Sequence, residues 1–163
     1  MKPSRSALLF ALSLLMANLA AAKTGDSEQP VNVVAQRSDV DNKTGNVVYT
    51  GQVVITQGTL KIRADKVTVY RNKTNELDKV VAEGAPAIYN QLTDKDEPVQ
   101  GQARRIEYTT SSEHVLFLTE VTLTQAGGDT MKANRVEYDT VKSTVQATAS
   151  EGGVVTSVFL PSK

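Results

Sequence analysis

Residues 45–70, GNVVYTGQVVITQGTLKIRADKVTVY, decide what kind of chain this is. Val47, Tyr49, Gly51, Val53 and Ile55 fall on every second position, Leu60, Ile62 and Ala64 repeat the rule, and Val67 and Val69 follow. Successive side chains on a strand point to opposite faces, so alternation with period two means strands with one apolar face. Gln52, Thr56, Lys61, Arg63, Asp65, Lys66 and Thr68 lie between the apolar positions and belong on a wet face. Gly51 and the pair Gln57-Gly58 read as turns between these strands.

Upstream, Pro30-Val31-Asn32-Val33 opens a strand with Val31 and Val33 on one face. Pro30 has no N–H to give a ladder, which suits an edge. Ala35 to Val40 stays extended, and Asp41 to Gly45 (DNKTG) is a turn. Lys23 to Gln29 (KTGDSEQ) is polar and is expected to fray. Downstream, a polar turn over Arg71 to Glu76 precedes a strand from Leu77 to Ala82. Gly84-Ala85-Pro86 is expected to break it, with a new strand over Ala87 to Gln91. Further strands are expected over Val99 to Tyr108, His114 to Thr124, Met131 to Tyr138, Thr144 to Ala149 and Val154 to Leu160. No segment beyond the N-terminal apolar run has a helical period, and Val and Thr are abundant, so the chain is all-β.

A short pattern recurs. Ala64-x-x-Val67-x-Val69, Ala103-x-x-Ile106-x-Tyr108 and Ala133-x-x-Val136-x-Tyr138 share one spacing, with Lys66, Arg105 and Arg135 at equivalent places. Val53-x-Ile55-Thr56-Gln57 is echoed by Val121-x-Leu123-Thr124-Gln125. Such repeats imply similar strand pairs, each giving one rung to a shared apolar interior.

Composition limits what the chain can do. It has 163 residues, with 18 basic and 18 acidic. Lys2 and Arg5, the uncharged run from Ala7 to Leu19 and the sequence Ala20-Ala21-Ala22 read as a secretory leader over 1–22, leaving one domain over 23–163. Taking Lys2 and Arg5 from the 18 basic residues leaves 16 against 18 acidic ones, about −2. A near-neutral, mixed surface is not built to grip nucleic acid. Without cysteine there is no disulfide and no thiolate zinc site. The one histidine, His114, is expected at a strand rim, and there is no G-x-S-x-G elbow for a hydrolase nucleophile. Asp65, Glu83, Glu107 and Asp139 could in principle converge as a carboxylate pair, but their places at turns and on the polar phase favour solvated charge. The bases Lys61, Arg63, Lys66, Arg104, Arg105, Lys132 and Arg135 alternate with acids on the wet phase. No catalytic residue, metal site or cofactor is therefore expected.

The apolar face has two readings, the dry core of a sandwich or a groove that accepts something greasy, and periodicity does not separate them. Past the leader there is no Trp and only Phe117 and Phe159 among Phe, while Tyr49, Tyr89, Tyr108 and Tyr138 lie on or beside the apolar phase. Tyr suits a boundary that is apolar with one wet end.

Several motifs in order resemble one family. TGD-x-x-QP at Thr24 to Pro30, GNV at Gly45 to Val47, TG-x-V-x-I-TQGT at Thr50 to Thr59, K-I-x-ADKV at Lys61 to Val67, G-x-PA at Gly84 to Ala87 and PV-x-G-x-A at Pro98 to Ala103 are similar to the OstA-like family of periplasmic lipopolysaccharide-transport proteins. The resemblance implies an open, twisted antiparallel β-jelly roll that is not an enzyme and whose interior shields acyl chains of lipopolysaccharide. It implies head-to-tail self-association, a bitopic inner-membrane partner of similar fold, and docking on the jelly-roll domain of an outer-membrane translocon. Carried over position by position, it implies a lumen lined by Val31, Val33, Val47, Tyr49, Val53, Ile55, Leu60, Ile62, Tyr89, Ile106, Tyr108, Leu116 and Leu118. Stacking would use the edge strands Pro30 to Ala35 and Val154 to Leu160, through Pro30, Val31, Val33, Val155, Val158, Phe159 and Leu160. The second TG-x-V motif departs: it reads Thr119-Glu120-Val121, with an acid where Gly is expected, which suggests a bulge or re-registered turn. Runner-up readings are a structural β-module linking envelope proteins without lipid and, third, an enzyme acting on envelope glycan.

Overall fold

The structure, a computed structural model, describes residues 25–142 and 144–161. The expected leader, 1–22, and the first residues of the expected domain, Lys23 and Thr24, lie outside the described residues.

Alternating apolar and polar side chains with β-branched enrichment make strands, and the described residues form ten of them. They are β1 (Asn32–Val34), β2 (Arg37–Val40), β3 (Val47–Gln57), β4 (Leu60–Arg71), β5 (Leu77–Leu92), β6 (Pro98–Thr109), β7 (His114–Thr124), β8 (Thr130–Asp139), β9 (Thr144–Thr148) and β10 (Thr156–Val158). All pair antiparallel in one sheet in the order β1-β3-β4-β5-β6-β7-β8-β10, with β2 also on β3 and β9 also on β8. The ends do not meet, so the sheet is open, as the resemblance implied. Turn chemistry explains the tight connections. The Asp41 carboxylate accepts the Lys43 N–H and the Thr44 hydroxyl, and Asn72 Oδ1 accepts the N–H groups of Thr74 and Glu76. Gly58, at φ +56°, makes the short β3–β4 hairpin, with Gln57 opposite Leu60.

Register slips at one level across the whole sheet. The breaks fall between Thr50 and Val53 on β3, Arg63 and Lys66 on β4, Glu83 and Ala87 on β5, Gln102 and Arg105 on β6, and Leu118 and Val121 on β7. The gap between β1 and β2 lies opposite the same level of β3, and β8 changes partner there from β10 to β9. Aligned bulges bend every strand at once. The result is a seam that divides the sheet into two half-sheets. Two expected turns belong to this seam. Gly51 (φ +81°) lies inside the continuous strand β3, and Gly84-Ala85-Pro86 is a bulge within β5 rather than its end. The departure at Thr119-Glu120 is a bulge as expected, with both residues at positive φ (+67° and +55°) inside β7. Ala64, Ala87, Ala103 and Ala133 sit beside the seam on the inner phase, where small side chains let the backbones bend towards one another.

The half-sheets face each other around one apolar cluster. Phe117 meets Tyr89 edge to face across the interior, ring centres 5.5 Å apart and planes at 89°. These rings come from opposite sides of the seam. Phe117 also fills the place a side chain at Gly101 would need, since a Cβ there would lie 2.2 Å from its ring.

The inward phase of β7 is Val115 and Phe117, not Leu116 and Leu118. Val115 and Phe117 pair with Tyr108 and Ile106 and are 1% and 0% exposed. Leu116 and Leu118, expected to line the lumen, pair with Glu107 and Arg105 on the outer face and are half-buried. The bulge at Thr119-Glu120 sets two residues of β7 against Asn134 alone, so Phe117 and Val121, four apart, meet Val136 and Ala133, three apart, on the inner face. The outer face carries charge pairs: Lys66–Glu83 (3.5 Å), Arg105–Glu83 (3.0 Å), Arg105–Glu107 (2.8 Å) and Lys79–Glu107 (3.5 Å). Val81 lies on this face, paired with Glu107 and Thr68, yet is 1% exposed and stands outside the main cluster. Exposed pairs add little stability individually, so this lattice matters mainly as a solvated cover.

Truncation tests the phase correction. Phe117→Ala is expected to cost about 3–5 kcal/mol and Leu118→Ala about 1 kcal/mol. Gly101→Ala, which pushes a methyl into Phe117, is expected to cost about 1–3 kcal/mol. Urea unfolding midpoints check all three, and equal costs at 117 and 118 would refute the assignment.

Candidate functional site

The interior is a slot between half-sheets, bounded on one side by the seam. Register carries apolar rows across it from edge to edge. Val33, Ile55, Ile62, Tyr89, Gly101, Leu123 and Met131 are successive partners on one half-sheet, with Ser157 at the far edge. On the other, Tyr49, Val67, Ala82, Ile106, Phe117, Val136 and Ala147 form the matching row. A third row runs Val40, Val47, Val69, Val80, Tyr108, Val115, Tyr138 and Val145. Of the expected lumen residues, Val53, Ile55, Leu60, Ile62, Tyr89, Ile106 and Tyr108 are brought together and buried, while Val31, Val33, Val47 and Tyr49 are half-buried against the same cluster. The side chains fill the slot, so it is closed in this state.

Its long free side is a mouth where turns of both half-sheets meet. Asp26, Thr59, Gln91 and Asp94 stand on one side, with Tyr108, Glu113, Tyr138 and Thr140 on the other. Burial raises the Tyr108 phenol to about 12, helped by the negative Glu113 and Asp26. Burial likewise holds Tyr89 far above its ordinary range. Both phenols therefore stay neutral, and the slot carries no charge at its centre.

Of the segment expected to fray, the described part, residues 25–29, is held in place. Asp26 to Glu28 form a short 3-10 turn beside the mouth. Asp26 Oδ1 accepts the Thr59 N–H at 2.7 Å, and its Oδ2 accepts the Thr59 hydroxyl and, at 2.7 Å, Gln91 Nε2. Gln57 Nε2 donates to the Gln29 carbonyl at 3.1 Å. Burial pushes the Asp26 carboxyl up, but these bonds outweigh it and leave it below the usual carboxylate range. Sequence reasoning missed Asp26 because its partners are 33 and 65 residues away.

Both sheet edges carry uncovered apolar side chains. Val34 and Val40 are exposed on β1 and β2, and Val154, Val158, Phe159 and Leu160 at the other end, with Val155 among them. Pro30 is exposed beside β1. The regular strands are shorter than expected, three residues at each of β1 and β10. Sequence reasoning left Phe117, Val115, Val121, Leu123 and Tyr138 out of the site. The A-x-x-V-x-Y repeat already pointed to Tyr138, whereas Phe117 needed the register of β7.

Among the described residues no group of three or more His, Cys, Asp or Glu side chains is placed to hold a metal. No helix among them is long and apolar enough to cross a membrane. His114 stands half-exposed at the start of β7, Nε2 3.3 Å from Asp139 Oδ2.

Comparison with known proteins follows the same lines. The family described as LptA/(LptD N-terminal domain) LPS transport protein matches residues 32–144. The lipopolysaccharide export system protein LptA of Escherichia coli K12 is 34% identical over 158 residues, covering 96% of this chain and 85% of its own. LptH of Pseudomonas aeruginosa, also a lipopolysaccharide export system protein, is 32% identical over 152 residues, covering 92% and 86%. LptA of Haemophilus influenzae is 30% identical over 166 residues, covering 100% and 96%. The solved structure of Pseudomonas aeruginosa LptH, described as the periplasmic component of a lipopolysaccharide transport device, superposes with a TM-score of 0.78 at 29% identity, covering 83% of this chain and 99% of that one.

Acid should loosen the turn after β8 that borders the mouth. The Asp139 carboxyl accepts the Lys142 N–H and ammonium, both at 2.9 Å, and is lowered to about 2. A depressed carboxyl contributes stability above its unfolded value and loses it as pH falls through the folded one. That contribution is present above about pH 4 and drains away towards pH 2. Asp139→Asn is expected to flatten the urea midpoint between pH 4 and 2 relative to the parent, and an unchanged acid limb would refute the role.

Proposed function

The chain belongs to the LptA/(LptD N-terminal domain) family of LPS transport proteins, and on that premise we propose that it carries lipopolysaccharide through the periplasm as a bridge module. The observation that supports this most is the continuity of the apolar rows. They run from one unpaired edge strand to the other without a charged side chain. Copies joined edge to edge would extend those rows into one path.

The mechanism is passive. An acyl chain in water gains roughly 0.8 kcal/mol per CH₂ when it enters an apolar path. The slot is filled by its own side chains, so lipid must exchange for the contact of Phe117 with Tyr89 and Gly101, and the half-sheets must part about the seam. The chain contains no G-x-x-x-x-G-K-[ST] phosphate loop, so the driving force comes from elsewhere. Strand addition joins copies head to tail, β10 and its exposed Val155, Val158, Phe159 and Leu160 meeting β1 with Pro30, Val31 and Val33. The same edges receive an inner-membrane partner of similar fold and the jelly-roll domain of an outer-membrane translocon. The role is transport rather than catalysis. The filled slot favours one second reading, a structural linker that carries no lipid.

A photo-crosslinking residue at Tyr108, facing the slot, is expected to capture lipopolysaccharide in cells, and one at Lys61, on the outer face, is not. Absence of capture at 108, or equal capture at 61, would leave only the linker. Light scattering of the purified protein should show mass rising with concentration, and deletion of Val155 to Leu160 should abolish the rise. Concentration-independent mass in the parent would sink the stacking.

A further inference from the structure

Nothing in the transport reading explains why the segment from Gly25 to Gln29 is held so firmly at the mouth. Asp26 accepts three hydrogen bonds from Thr59 and Gln91. Gly58 lies so close beneath it that a Cβ there would stand 2.2 Å from Asp26 Oδ1. The hairpin thus has a glycine both for its positive φ and for the approach of this segment. The network then continues inward. Gln91 gives its Nε2 to Asp26 and takes, on Oε1, the Tyr89 hydroxyl. Tyr89 is 0% exposed and presses edge-on against Phe117, the side chain that closes the slot from the opposite half-sheet.

We propose that the segment from Gly25 to Gln29 is a latch on the mouth, tied through Asp26, Gln91 and Tyr89 to the aromatic contact that closes the slot. It regulates the lipid site of the proposed carrier and rests on that reading. The two ends exclude each other through Gln91. An acyl chain that displaces the Tyr89 ring from Phe117 also moves its hydroxyl. Gln91 then turns away from Asp26, and the segment loses one of the ties that hold it, keeping those to Thr59, Leu60 and Gln57. Released, it uncovers the mouth beside Tyr108 and Tyr138. When the chain leaves, Tyr89 returns, Gln91 turns back and the latch closes. Lipid binding and latch release thus favour the same state, and by linkage each lowers the cost of the other.

The chain has no cysteine, so an engineered pair reports cleanly. The probe is fluorescent lipopolysaccharide added to purified protein. D26C/T59C, oxidised, is expected to take it up about tenfold more slowly than the parent, roughly the effect of 1.4 kcal/mol, and, once reduced, to take it up as fast as D26A. D26A is expected to take it up faster. A spin label at E28C should be immobile without lipid and mobile with it. Far-UV circular dichroism confirms that each variant keeps its sheet. If the parent binds lipid but the oxidised pair binds at the parent's rate, or the label at 28 stays immobile with lipid bound, the latch is refuted and the carrier stands. If the parent binds no lipopolysaccharide at all, the carrier reading falls and the latch with it.

Discussion

A single level of register slip across five neighbouring strand pairs is what the rest of the molecule depends on. An antiparallel meander of long strands with one apolar face would otherwise be a broad ribbon with that face in water. Bulges at Gly51-Gln52, Gly84-Ala85-Pro86 and Thr119-Glu120 lie at one level on alternate strands, so the strands bend together and the face closes on itself. A bulge in one strand alone would break pairing with both neighbours. Aligned bulges keep the ladders intact on both sides of the seam. Positive φ is the local cost, met by glycine at 51 and by Thr and Glu at 119 and 120, where Arg104 holds Glu120 at 2.9 Å.

Closure then rests on shape. Gly101 leaves a hole and Phe117 fills it, with Tyr89 edge-on beside the ring. Around them the inner rows are mostly Val, Ile and Ala, which pack densely but leave few bulky anchors. In the proposed carrier, a slot closed by one aromatic contact and many small side chains would open as lipid replaces those contacts, the seam letting the half-sheets move without losing a ladder. A sandwich held by many interlocked large rings would not. This is the physical sense in which a filled interior and a lipid path are compatible.

The same economy explains the edges. Cyclic closure would remove the unpaired strands, and natural sheets usually guard them with charge, Pro or bulges. Here Pro30 and the gap at Ala35-Gln36 blunt one edge only partly, and the other presents Phe159 and Leu160 to solvent. Edges left with apolar side chains and free backbone groups suit pairing with another sheet of the same kind. The charged lattice from Lys66 to Glu107 on the outer face would confine any such pairing to the edges.

Much of this was written in the sequence. Alternation over residues 45–70 determined the strands and their wet and apolar faces, and Pro30 marked an edge. The departure at Thr119-Glu120 marked a bulge, and the A-x-x-V repeat marked the seam, since inward residues three apart break the two-residue period at that level. These are local facts, because the backbone sets each side chain's face relative to its neighbour. Only the tertiary structure decided that Gly84-Ala85-Pro86 continues a strand, that Phe117 rather than Leu118 points inward, and that Asp26 is tied down. A bulge is defined against the partner strand, and the contacts of Phe117 with Gly101 and of Asp26 with Gln91 join residues far apart in the chain. No local pattern encodes them, because their cause is the folding of the whole sheet along its seam.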